Sequence, residues 1–217
     1  MISQIKYVVV STPRSATGWT SQVLCAMGLK CGHERHFTHD KQSYESKLES
    51  DYMWGDSSWM AAPFIGDLPR GTMVLHQVRE PCATIASLVG LRHFDHWDRA
   101  LDEYHIFMRA HLPHELPDGL NAIQRAAHFW LTWNEMIEAT LASRPDLEWI
   151  RYRIETPTIV ELLCGWLTDH EPSRKLLAKG MAVPTDFNRR RGLTKPDVTM
   201  DLLPTRVADL ARRYGYG

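Results

Sequence analysis

The chain has almost no net charge and few cysteines, and each shortage excludes something. Its 217 residues carry 25 Lys and Arg against 26 Asp and Glu, a formal charge of −1 with neutral histidines. A surface that coats nucleic acid needs a strong basic excess, so no nucleic-acid partner is expected. The four cysteines, Cys25, Cys31, Cys82 and Cys164, show no C-x-x-C spacing, which argues against a zinc ribbon or a thioredoxin-like motif. No run approaches the ~18 apolar residues of a membrane span. The apolar stretch Tyr7–Val10 is too short for a signal-peptide core. Free thiols and a cytoplasmic location are therefore expected. The patterns G-x-x-x-x-G-K-[ST], H-E-x-x-H and G-x-S-x-G are all missing. Their absence argues against a Walker ATPase, a zincin and an α/β-hydrolase elbow.

What the chain does have is 44% hydrophobic and 24% charged residues, a globular composition. Its length suits one domain over 1–217. Short β-branched or fully apolar runs at 5–12, 73–78 and 149–152 read as strands buried on both faces, with a shorter one at 29–31. Helical patterns occupy 18–28, 83–91, 98–111, 121–143, 157–167 and 204–214. Strand–loop–helix units in this order predict an α/β fold, a central parallel sheet flanked by helices. Residues 36–66 read as an irregular, aromatic insert on the substrate side. Eight Trp and eleven His are unusual counts. Trp130, Trp133 and Met136 share helical spacing and read as core.

Two loops leave strands where such sheets bind ligands, at their carboxyl ends. The first is Ser11-Thr12-Pro13-Arg14-Ser15-Ala16-Thr17-Gly18-Trp19. Small and hydroxyl residues before a helix can wrap N–H groups around an anion, and Arg14 adds a full charge. The alternative is an ordinary helix start capped by Ser15 or Thr17. The second is Arg79-Glu80-Pro81 followed by Ser87 about two turns along a helix. An Arg and a Ser so placed can share one phosphate.

Taken together, T-P-R-S-A-T-G-W and R-E-P-x5-S resemble the two anion motifs of sulfotransferases that use 3′-phosphoadenosine 5′-phosphosulfate (PAPS). The resemblance extends loosely to Trp149-Ile-Arg-Tyr-Arg-Ile-Glu155 and to the terminal helix. It implies a P-loop-like sulfotransferase fold and a transfer from PAPS, with product 3′,5′-ADP (PAP), to a hydroxyl of a sugar, glycolipid or small metabolite. It further implies that Arg14 neutralises the transferring group and that Ser15, Ala16, Thr17 and Gly18 cradle the 5′-phosphate. Trp19 is implied to stack on adenine, and Arg79 with Ser87 to hold the 3′-phosphate. Arg190, Arg191 and Gly192, after Arg189, are similar to the family's late basic segment. Ala16 stands where the family usually has Gly, and Gly18 where it usually has Thr.

A base must accept the hydroxyl proton. The histidine that animal members carry before the second motif is missing from Asp56-Ser57-Ser58-Trp59. Glu34, after the first helix and a short strand, is similar in position to the base of several bacterial members. His33 and His36 are its substitutes. With His39 these histidines lack a metal-ligand pattern, so no metal is expected. Trp54, Ser58 and Trp59 are candidates for the acceptor pocket. A small-molecule kinase with a degenerate P-loop and an inactive nucleotide-binding module are the alternative readings, and a homodimer is left open.

Overall fold

The computed structural model of the chain describes residues 5–39, 54–95, 97, 102–167, 173–186 and 193–217. Five strands form one sheet: β1 (Tyr7–Val10), β2 (Cys31–His33), β3 (Gly55–Ser57), β4 (Met73–Val78) and β5 (Glu148–Arg153). All pairs are parallel and the spatial order is β2-β3-β1-β4-β5. The chain runs from β1 to the far edge, returns to β3, then crosses to β4 on the other side of β1. That reversal opens a crevice at the carboxyl end of β1, where α/β sheets bind ligands.

Helices cover both faces, as the fully apolar strands require. Side chains alternate across a strand, so Val8, Val10, Val74 and Val78 enter one core and Tyr7, Val9 and Leu75 the other. The first core is closed by a 3-10 segment (Trp59–Asp67), α2 (Pro81–Gly90), α3 (Glu103–His111), α4 (Ala122–Ser143) and α7 (Thr205–Arg213). Trp130 and Trp133 on α4 are fully buried there, each contributing roughly 1.5–3 kcal/mol of transfer free energy. The second core lies under α1 (Thr17–Ala26), α5 (Ile159–Leu167) and α6 (Arg174–Met181). Among the described residues, no helix is long and apolar enough to cross a membrane.

Two expectations need correction, and one helix was not expected. The insert expected at 36–66 is not irregular throughout: β3 and the 3-10 segment lie within or across its end. Gly-Asp-Ser has no strand propensity of its own. It is a strand because it pairs on both edges, with Tyr7↔Gly55 on one and Cys31↔Gly55 on the other. Gly55 is required, since a Cβ there would lie 2.2 Å from the Tyr7 ring. Second, β2 is displaced from 29–31 to Cys31–His33, which puts Glu34 directly at its carboxyl end. The unexpected helix is α6, capped by Ser173, which accepts from Leu176 N. Tyr44 and Tyr52 of the insert lie outside the described residues.

Candidate functional site

The loop after β1 is built as a cradle. Arg14 and Ala16 both have φ of 69°, and Ser15 between them does not have a positive φ. Such alternation of handedness turns successive N–H groups toward one point. A non-glycine residue in the left-handed region costs about 1–2 kcal/mol, so the conformation must be imposed from outside. The carbonyls are tied down on the sheet side. Arg79 Nη1 donates to the Arg14 carbonyl at 2.8 Å, the Gln77 amide donates to that of Ser15, and Ser57 Oγ donates to that of Thr17 at 2.9 Å.

The loop ends on Ala16, the N-cap of α1, which makes no side-chain cap. The capped-helix alternative is not what forms. Ser15 Oγ is engaged with Thr12 Oγ1 at 2.8 Å, and Thr17 Oγ1 with His33 Nε2 at 3.2 Å. The first-turn N–H groups of a helix have no internal partner and carry partial positive charge. This end of α1 borders a cavity of about 1000 Å³, lined by Ala16, Thr17, Gly18 and Trp19 among others.

Two more elements complete the cationic part of that cavity. Arg79 is the first residue past β4, and Ser87 lies mid-way along α2, buried at 1% exposure. Pro81 opens α2, and the Glu80 carboxylate caps it, accepting from Cys82 N at 3.0 Å and Ala83 N at 2.6 Å. Arg14 Nε donates to Ser87 Oγ at 3.1 Å across 73 positions of sequence. The two motifs therefore meet in space. Lys195 also lines the cavity.

Glu34 stands across the cavity from this cluster. It leaves β2 with φ 54°, and the next three amides turn inward to Asp56. Arg35 N (3.2 Å), His36 N (3.0 Å) and Phe37 N (3.1 Å) all donate to that fully buried carboxylate. Burial is the main cause that raises the Glu34 carboxyl above its ordinary value, and the Asp56 charge adds to it. His33, 3.5 Å away, together with Trp59 and Arg14, pulls in the other direction.

The structure thus gathers Arg14, Ala16, Thr17, Gly18, Trp19, His33, Glu34, Trp59, Arg79 and Ser87 around one cavity. Ser15 is fully buried behind the loop. Trp19 is 9% exposed, packs into the second core, and donates its indole N–H to the Val183 carbonyl at 3.4 Å. Other candidates do not join. Trp54 precedes β3, at the amino edge opposite the crevice, 40% exposed beside Lys6 and Lys30. Parallel strands place that residue a full strand length from the site. Ser58 is fully buried, caps the 3-10 segment and donates to the Phe37 carbonyl at 3.2 Å. His36 is buried at 3% exposure and does not line the cavity, because Asp56 draws its backbone inward. Arg190, Arg191 and Gly192 lie outside the described residues. Among the described residues, no group of three or more His, Cys, Asp or Glu could hold a metal. His39 instead pairs with Glu103 at 3.0 Å.

Sequence reasoning missed Gln77, Asp56 and Lys195. For Gln77 a signal existed: a polar residue inside a strand buried on both faces needs a partner. For Asp56 there was none, because its strand was not legible. Lys195 gave none. No known protein-family model matches the chain, and no curated protein is significantly similar to it.

Proposed function

We propose that the protein is a PAPS-dependent sulfotransferase with a P-loop-like fold, transferring a sulfuryl group to a hydroxyl of a sugar, glycolipid or small metabolite. One observation carries this reading. Two sequence motifs far apart in the chain converge, through Arg14, Arg79 and Ser87, on the uncapped start of α1 inside one cavity. A nucleotide with two separate anionic groups suits that donor set. Backbone N–H groups and Arg14 take one group, and Arg79 with Ser87 takes the other. The cavity volume is that of a site for a molecule of this size. The apolar wall of Trp19, Val160 and Val183 suits a base.

When bound, PAPS supplies the sulfuryl group and leaves as PAP. The residues around it then have defined tasks. Arg14 and the first-turn amides of α1 stabilise charge that builds on the leaving oxygen. Glu34 accepts the proton of the acceptor hydroxyl at its carboxylate. Burial raises its carboxyl above the ordinary carboxylate range and so nearer the working pH, which makes it a stronger general base. Trp59 and Tyr104, with ring centroids 6.3 Å apart, form the acceptor wall beyond Glu34.

The test is thermal unfolding with PAP in a chelator. A rise in Tm of several degrees is expected. No shift with PAP, or a shift only with ATP and Mg²⁺, would overturn the reading and favour a kinase. Binding of PAP without transfer to any hydroxyl panel would favour the inactive module.

A further inference from the structure

The cradle is held by a residue that touches neither the cavity nor any residue of the two motifs' side chains. Gln77, on β4, is fully buried, and its amide is shared among three elements. Its Oε1 accepts from Thr20 Oγ1 on α1 at 2.5 Å and from Tyr152 OH on β5 at 2.6 Å. Its Nε2 donates to the Ser15 carbonyl in the loop. The orientation is forced. Burial keeps the Tyr152 phenol protonated and thus a donor. A carbonyl can only accept, so the nitrogen must face Ser15.

From this geometry we infer that Gln77 is the positioning residue of the anion cradle, fixing which way the Ser15–Ala16 peptide faces. Among the described residues no peptide bond is cis. In a trans peptide the C=O and N–H point in opposite directions. Anchoring the Ser15 carbonyl toward the sheet therefore aims the Ala16 N–H away from it, toward the cavity side. The same anchor holds Ala16 at φ 69°, a conformation alanine does not keep unaided. Without it the peptide can flip and present a carbonyl oxygen to the anion. Thr20 and Tyr152 orient the Gln77 amide but do not themselves touch the loop carbonyl. This inference rests on the anion-binding reading of the loop and is independent of the acceptor.

The experiment is calorimetric titration of PAP into the full chain, with no added metal. Gln77→Met keeps the volume and removes the donor. About a tenfold or greater loss of affinity is expected, the loss of one well-placed hydrogen bond's worth of preorganisation. Tyr152→Phe removes a bond from the same hub and leaves the Ser15 anchor, so its affinity stays within about twofold while Tm falls. No loss in Gln77→Met, or equal losses in both variants, overturns the role. Gln77→Glu supplies a signature that a merely structural role would not give. A protonated carboxyl can donate to the Ser15 carbonyl, whereas an ionised one repels it. Its affinity relative to the native chain should fall as pH rises from roughly 6 to 9, the range in which buried Glu ionises. A constant ratio overturns the inference, and this variant decides the matter if Gln77→Met does not fold. If the native chain ignores PAP but binds pyrophosphate, the nucleotide reading fails, and the same variants are judged with pyrophosphate. Binding of neither anion overturns both.

Discussion

Asp56 offers the sharpest test of how the candidate base is held. Its carboxylate is fully buried and accepts from three consecutive backbone amides, those of Arg35, His36 and Phe37, at 3.0–3.2 Å. Asp56→Ala orphans all three donors. An unsatisfied buried donor costs about 1–3 kcal/mol, so three would cost about 3–9. Two effects reduce that sum. Water can enter the space vacated by the carboxylate, and burial already makes the ionised Asp56 expensive, raising its carboxyl above the ordinary carboxylate range. The expected loss is therefore about 3 kcal/mol, near the lower bound. In a chain of this size that lowers Tm by about 6–12 °C. Asp56→Asn retains one acceptor oxygen and should lose about half as much. Urea unfolding followed by circular dichroism reads both. A loss under about 1 kcal/mol for Asp56→Ala would refute the argument that this carboxylate sets the path of the chain after Glu34.

Arg79→Ala should weaken PAP about 10–100-fold, the loss of one charge-assisted contact, and should weaken an analogue lacking the 3′-phosphate far less; equal losses by titration would mean the 3′-site is elsewhere. Glu34→Gln should abolish transfer while leaving PAP affinity unchanged. The same variant carries a stability signature. Because the folded Glu34 carboxyl is raised, its contribution is present below the ordinary carboxylate range and is lost as pH rises through the folded value. Glu34→Gln should therefore gain on the native chain as pH increases, and denaturant midpoints across pH would show a flat difference if the carboxyl were not buried. His76 titrates in the opposite sense: fully buried, it is pushed down to about 4 from 6.5 by desolvation. Its neutral form supports the fold above about pH 6.5, and that support, at most about 3 kcal/mol, is lost as pH falls toward 4; a pH titration of unfolding with His76→Gln as the reference checks it. Ala16→Gly, at φ 69°, should leave stability unchanged or raise it by up to about 1 kcal/mol, as relief of left-handed strain outweighs the added freedom of the unfolded chain; a Tm drop of several degrees would contradict the imposed-loop argument.

Local pattern carried far in this chain. Val8, Val9 and Val10 can only be comfortable in a strand covered on both sides, and Pro81 before an apolar run can only open a helix. The two strand–loop–helix motifs were legible for the same reason, since each is a strand end, a tight loop and a helix start contiguous in sequence. Gly-Asp-Ser at 55–57 was not, because its strand character comes wholly from neighbours on both edges. The expected start of α3 near 98 falls on residues 98–101, outside the described residues. Asp102 caps that helix, accepting from the His105 N–H at 3.1 Å, and a cap overrides periodicity at a helix end.

The acceptor-side assignments divide along one physical line. Trp54, Ser58 and Trp59 are close in sequence, yet only Trp59 lines the cavity. A strand of three residues separates Trp54 from Ser58 and carries the chain from the amino end of the sheet to its carboxyl end. Sequence proximity cannot say which end is which until the strand is placed. The amino-acid sequence by itself determined an α/β chain with two loops that each join a strand end to a helix start, because those signals are periodic or contiguous. Only the tertiary structure decided that Arg14 meets Ser87, that Glu34 faces them, and that Gln77 and Asp56 hold the two loops in left-handed conformations. These are contacts between residues 19 to 75 positions apart, made by burial and hydrogen bonding that no local pattern encodes.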